Sequence, residues 1–321
     1  MKRKIISFKK HKFSRKKIKK KPFVFKRTKQ IKIIFAHLML ILFYLTTLKY
    51  GPKRKAFDEF KPHKVFIEAH RGVNRQKFEN TKESIELAIK YGLDSFETDL
   101  WLTKDNVGVL VHGGGFGDIR HYYNASYKVM FTNWSQLSTL HTKRDNLKMP
   151  KLEDIMKLTK NKIFMNLEIK DPRVDVVFPY VIKLIEKYNY FGQISISSFN
   201  HNYYKKIVEY NNNNKLGKKL AFGFLYGGGS NSKHYPFHVP YNTLNLYWKK
   251  VTKHICDKAH ANRMAVFAWF YMGENETNSI YKRLFDYGID IICSNFPLRV
   301  KKYRDLYYKK RGLKSSKTNN T

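Results

Sequence analysis

KIFMNLEIK (162–170), FPYVIKLIEKYN (178–189), QISISSF (193–199) and NYYKKIVEYN (202–211) follow one another in the middle of the chain. The first and third are short apolar runs of strand type. The second and fourth carry apolar residues at helical spacing. Strand, helix, strand and helix in succession call for a parallel sheet, because parallel neighbours need a crossover connection.

The alternation continues in both directions. Toward the C-terminus come the strand KLAFGFLYG (219–227), a polar Gly/Ser/Asn loop and the strand TLNLYW (243–248). The helix VTKHICDKAHANR (251–263), the strand MAVFAWFYM (264–272), the helix SIYKRLFDYG (279–288) and the strand IDIICSNFP (289–297) follow. Toward the N-terminus, PKLEDIMKLT (150–159) reads as a helix opened by Pro150. Before it lie a long connection (113–149), the strand VGVLVHG (107–113) and, through a turn at 104–106, the strand DSFETDLWLT (94–103). TKESIELAIKYG (81–92) is a helix with Thr81 as N-cap and Gly92 at its stop, and VFIEAHRG (65–72) is the first strand. With VGVLVHG taken as a continuation of DSFETDLWLT through the turn, eight main strand units in about 245 residues match the number and size of a (β/α)8 TIM barrel. On pattern alone an open doubly wound sheet fits as well.

Chemistry-bearing residues gather at the strand ends. Glu97 and Asp99 are two apart on a strand, so both point to one face. Paired carboxylates repel unless a cation joins them, and hard divalent cations prefer such oxygen ligands. Glu168, near the end of the next main strand, supplies a third. His70 and His112 are the candidate acid and base, since imidazole titrates near neutrality. Arg71 can fork to phosphate oxygens or pair with Glu79 or Glu97. Lys170 shares a face with Glu168 and offers a point charge. Gly72 serves a close approach to ligand or a turn. In a barrel the active site lies at the C-terminal ends of the strands, where His70, Glu97, Asp99 and Glu168 fall. The set suits metal-assisted cleavage of a phosphodiester.

The order HRG (70–72), ENT (79–81), ETD (97–99), a strand ending in His112, and EIK (168–170) resembles the glycerophosphodiester phosphodiesterase family over nearly all of 64–297. The resemblance implies a TIM barrel and one divalent cation, Mg2+ or Ca2+, on Glu97, Asp99 and Glu168. It implies His70 and His112 as acid and base, and substrate binding by Arg71, Glu79, Asn80, Lys170 and Trp269. The expected reaction yields sn-glycerol 3-phosphate and an alcohol, with the glycerol 2-hydroxyl attacking first to give a cyclic phosphate. The chain departs from the family pattern at three places. Gly113 rather than Asp follows His112, Trp269-Phe270-Tyr271-Met272 replaces W-T-V-N, and Ser294-Asn295 replaces T-D. These loops bear on substrate choice. A phospholipase D-like activity on lysophospholipids or sphingolipids is the second reading, and a non-catalytic membrane-tethered binding protein the third.

The formal net charge is +38, and the stretch 1–32 is densely basic. IIFAHLMLILFYLTTL (33–48) is uncharged and apolar. With its flanks (33–50) it is expected to be a transmembrane anchor with the N-terminus cytosolic and the catalytic domain lumenal or extracellular. A removed signal-type region or a short buried helix is the alternative. A linker (51–64), the barrel (65–300) and a basic C-terminal helix and tail (301–321) complete the expected organisation. The basic arm suits anionic lipid, and no nucleic-acid recognition motif accompanies it. Cys256 and Cys293 are too few and too far apart for a disulfide framework or a zinc motif.

Overall fold

The structure, a computed structural model, describes residues 64–214 and 216–312. Nine strands form one sheet: β1 (Phe66–Ala69), β2 (Ser95–Leu102), β3 (Gly108–Leu110), β4 (Phe164–Ile169), β5 (Ile194–Ser198), β6 (Phe222–Tyr226), β7 (Thr243–Tyr247), β8 (Ala265–Trp269) and β9 (Ile291–Ser294). Eight are parallel and close on themselves, because β1 pairs with both β2 and β9. The open-sheet alternative is thereby set aside. β3 lies outside the ring, antiparallel to β2, as the hairpin of a turn at Asp105 and Asn106 requires. All eight residues of β2 are buried, as expected of a strand covered on both faces.

The helices are α1 (Lys82–Lys90), α2 (Trp134–Leu137), α3 (Leu152–Thr159), α4 (Val174–Lys187), α5 (Asn202–Asn213), α6 (Lys253–Ala261), α7 (Asn278–Asp286) and α8 (Pro297–Lys310). α1 starts where the sequence indicates: Thr81 and Ser84 satisfy each other's backbone N–H groups in a capping box. Thr252 and Thr277 cap α6 and α7 by accepting from the Ile255 and Ile280 N–H groups. α4 begins a turn earlier than expected. Pro179 lies inside it, where it looks in sequence like a helix start. Between β6 and β7 only the 3-10 turn Ser232–His234 intervenes.

The long connection after β3 has its own small core. Trp101, on the same face of β2 as Glu97 and Asp99 but nearer the strand's C-terminal end, packs with Ile119, Tyr123, Val129, Leu137 and Met149. At the opposite end of the barrel, Asp94 accepts from the Ile67 N–H and pairs with Lys64 and Arg304. Arg304 also donates to the Val65 carbonyl, and the Tyr308 hydroxyl accepts from the Val65 N–H. α8 is thus fastened to β1. The expected boundary at residue 300 falls inside α8, because the apolar side chains Val300 and Tyr308 belong to the barrel core.

The expected anchor (33–50) and basic arm lie outside the described residues. Among the described residues no helix is long and apolar enough to cross a membrane.

Candidate active site

Alternation along the strands puts Glu97 and Asp99 inside the barrel, and strand register does the rest. Asp99 on β2 lies opposite Glu168 on β4, and Lys170 follows two residues on. Donor oxygens of Glu97, Asp99 and Glu168 all lie within 4.8 Å of one another. His70, just past β1, enters from the closing side of the ring, and His112 from the loop after β3. These side chains, except the deeply set Asp99, line one pocket of about 550 Å3 of empty space. Its other wall is aromatic and apolar, with Phe199, Phe267, Trp269, Tyr271 and Met272.

The HRG turn is built by its backbone. Arg71 and Gly72 both have positive φ, 57° and 77°. A Cβ on Gly72 would sit 2.3 Å from the Ser84 hydroxyl oxygen, so this glycine serves the turn against α1. The left-handed Arg71 aims its own N–H at Glu97 Oε2 (2.9 Å). Its guanidinium meets Glu79 (2.7 Å) and Asp99 (3.3 Å).

Glu79 and Asn80, expected to bind substrate, face protein groups instead. Glu79 holds Arg71. Asn80 Nδ2 donates to Asp99 Oδ2 (2.8 Å), and its Oδ1 accepts from Thr98 and from the Asp99 N–H. Their part in the site is to fix a cation and a carboxylate. Trp269, Arg71 and Lys170 do line the pocket.

Three carboxylates and two permanent cations share a buried space, and their proton affinities diverge. Burial, then Asp99 and Glu168, push Glu97 well above the usual carboxylate range. Burial also raises Glu168. Burial opposes ionisation of Asp99 too, but Lys170, Arg71 and His112 outweigh it and hold its carboxyl below the usual range. Burial, reinforced by Arg71, lowers His70 to about 3, and burial lowers His112 to about 3. Both imidazoles are therefore neutral near pH 7.

A cation fits this donor set. Glu97 Oε1, Asp99 Oδ1 and Glu168 Oε1 are buried without a hydrogen bond. Lys170 Nζ stands 2.6 Å from Glu168 Oε1 and 3.4 Å from Asp99 Oδ1, so one lysine faces both of those oxygens, and Glu97 Oε1 has no such cation beside it. Three carboxylates crowded in a buried space repel one another, and an all-oxygen set suits Mg2+ or Ca2+.

Sequence reading missed the partners of the two histidines. His70 Nδ1 lies 2.8 Å from Asn295 Oδ1. Asn295 Nδ2 donates to the Tyr271 carbonyl, which fixes the amide's orientation. His70 must then carry its proton on Nδ1 and present a bare Nε2, which lies 3.9 Å from Glu97 Oε2. His112 Nδ1 meets the Tyr122 hydroxyl at 2.9 Å. The signal for Asn295 was topological. Ala69 pairs with Ser294 across the barrel's closure, so the residues after them are neighbours.

The model of the glycerophosphoryl diester phosphodiesterase family matches residues 70–299. A glycerophosphodiester phosphodiesterase of Caldanaerobacter subterraneus is 26% identical over 247 residues, covering 73% of this chain and 95% of the relative. The fold is similar to a glycerophosphodiester phosphodiesterase from Parabacteroides distasonis, with TM-score 0.63 and 19% identity over 76% of this chain and 98% of that one. It is also similar to an Oleispira antarctica phosphodiesterase solved with the product sn-glycerol-3-phosphate, with TM-score 0.62 and 18% identity over 75% and 96%. A match running from His70 to Arg299 takes in every strand end that builds the pocket, and the chain belongs to the glycerophosphoryl diester phosphodiesterase family.

Proposed function

We propose that the protein hydrolyses glycerophosphodiesters to sn-glycerol 3-phosphate and an alcohol, using a divalent cation on Glu97, Asp99 and Glu168. The observation that carries this reading is three buried carboxylates whose oxygens converge within 4.8 Å of one another, beside a pocket lined by His70 and His112. When bound, Mg2+ or Ca2+ there neutralises phosphoryl charge and acidifies the attacking oxygen.

The chain's own groups do the rest. Arg71 and Lys170 set a positive field on the phosphate. The bare Nε2 of His70 accepts the proton of the glycerol 2-hydroxyl as that oxygen attacks phosphorus, and nearby Glu97 steadies the imidazolium. His112 takes up a proton when the anionic substrate offsets the Arg71 and Lys170 charges that depress it. It then gives that proton to the leaving alkoxide, and a cyclic phosphate remains. Water opens the ring with the two histidines exchanging roles.

A second reading, a lysophospholipid phosphodiesterase, is favoured by the aromatic wall and its exposed rim, Phe199, Tyr271 and Met272. We also propose that 33–50 anchors the protein in a membrane with the barrel on the lumenal or extracellular side. Its support is the apolar run and its denser basic flank in the sequence.

Release of glycerol 3-phosphate from glycerophosphocholine tests the main reading, with Mg2+, Ca2+ or EDTA and with Glu97→Ala. Activity that requires cation and Glu97 supports it. Turnover insensitive to both refutes the cation site. Turnover of lysophosphatidylcholine alone selects the second reading.

A further inference from the structure

Cys293 occupies the inward-facing position of β9 beside Glu68 of β1 and Trp269 of β8, and it lines the pocket. Its Sγ, a ring nitrogen of His70 and an oxygen of Glu97 lie within 4.8 Å of one another. Donors this close together can share one ion. Each donor is prepared by a separate feature of the fold. Asn295 holds the Nδ1 proton of His70, so the other nitrogen offers its lone pair. Glu97 Oε1 is buried, with the residue only 4% exposed, and has no hydrogen-bond partner. Cys293 is a free thiol.

This set differs in kind from Glu97, Asp99 and Glu168. Nitrogen, oxygen and sulfur together suit a borderline or soft cation and not Mg2+ or Ca2+. We propose that His70, Glu97 and Cys293 form a second site, for a thiophilic divalent cation such as Zn2+ or Cd2+, whose loading shuts off the phosphodiesterase. The thiol proton leaves to solvent as the sulfur–cation bond forms. The His70 lone pair is then taken, and Glu97 is drawn from the all-oxygen set, so the soft cation opposes the activating one. Binding is independent of the proposed reaction; only the inhibition rests on it.

The test uses the full-length reduced protein and Cd2+ alone as the probe. The thiolate-to-cadmium charge-transfer absorbance reports a sulfur ligand, and X-ray absorption reports the rest of the shell. The expected result is one sulfur with nitrogen and oxygen ligands. Cys293→Ser should lose the absorbance and weaken Cd2+ binding about tenfold or more. Cys256→Ser, on α6, should keep both, and its folding guards against a general thiol effect. In the phosphodiester assay, the Cd2+ concentration giving half inhibition should rise about tenfold in Cys293→Ser relative to that variant's own uninhibited rate. An all-oxygen shell overturns the proposal, as does absorbance that follows Cys256. If Cd2+ binds with the expected shell but no phosphodiester is cleaved, the site stands and the proposed reaction falls.

Discussion

Asn295→Ala removes the acceptor that holds the His70 Nδ1 proton at 2.8 Å and the donor to the Tyr271 carbonyl. With the hydrogen bond that Asn295 Oδ1 also accepts from Asn74 Nδ2 (3.3 Å), three net hydrogen bonds at about 1 kcal/mol each predict a loss of about 3 kcal/mol in stability. For a domain of this size that is a drop in Tm of about 6–12 °C. The kinetic effect should be larger than stability alone implies. His70 becomes free to turn or to carry its proton on Nε2, and loss of an orienting partner costs about 10–100-fold. That is about 1.4–2.7 kcal/mol in the barrier, seen in kcat with little change in KM. Asn295→Asp provides the control: a carboxylate still accepts from Nδ1 but favours the imidazolium. Burial now holds His70 at about 3, so the acidic limb of the kcat profile should move to higher pH in this variant by about one unit or more. Steady-state kinetics from pH 4 to 9, alongside thermal melts, reads all of this. An unchanged kcat in Asn295→Ala, from folded protein, would refute the argument that this bond sets the His70 tautomer.

Gly72→Ala should lose about 2–5 kcal/mol, because the new Cβ meets Ser84 and φ is positive; denaturant melts will show whether the midpoint falls. Arg304→Met removes one of the two cations on Asp94 and the donor to the Val65 carbonyl, while Lys64 and the Ile67 N–H remain, which predicts a loss of about 1–3 kcal/mol. Adding Asp94→Leu should recover part of it, and a double variant no better than the single one argues against the ion-pair account. His260 sits on Asp290 (2.8 Å), which raises its pKa above the usual value of 6.5. Its contribution is fully present below the unfolded value and is lost as pH rises through the raised folded value. His260→Ala should therefore cost more stability at pH 5.5 than at pH 8.5, and equal losses would contradict the pairing. Asn80→Ala frees Asp99 from its clamp and should weaken Mg2+ or Ca2+ affinity about 10–100-fold, read by calorimetry.

The barrel was legible because its strands are covered on both faces and read as nearly unbroken apolar runs. The few acids inside those runs, Glu97, Asp99 and Glu168, stood out for the same reason. The roles of Glu79 and Asn80 were not legible, since a motif gives residue types and not what they face. The start of α4 was placed a turn late, and the helix in fact runs through Pro179. Asn295 stood out as a departure from the family pattern, but its place beside His70 was hidden by distance along the chain. Cys293 was unremarkable for a similar reason: its partners come from β1 and β2, and no short-range spacing announces a mixed donor set.

His70 and Asn295 are 225 residues apart, and Val65 and Tyr308 are 243 apart. The first strand must therefore wait through nearly the whole synthesis of the barrel for one of its two neighbours. Until β9 and α8 emerge, β1 presents an open edge of the kind that invites pairing with other chains. The contact that sets the His70 tautomer forms in that same last step, so a barrel stalled before closure also lacks the oriented imidazole that the proposed reaction needs. Under that proposal ring closure acts as a built-in check: turnover begins only once the vulnerable edge is gone.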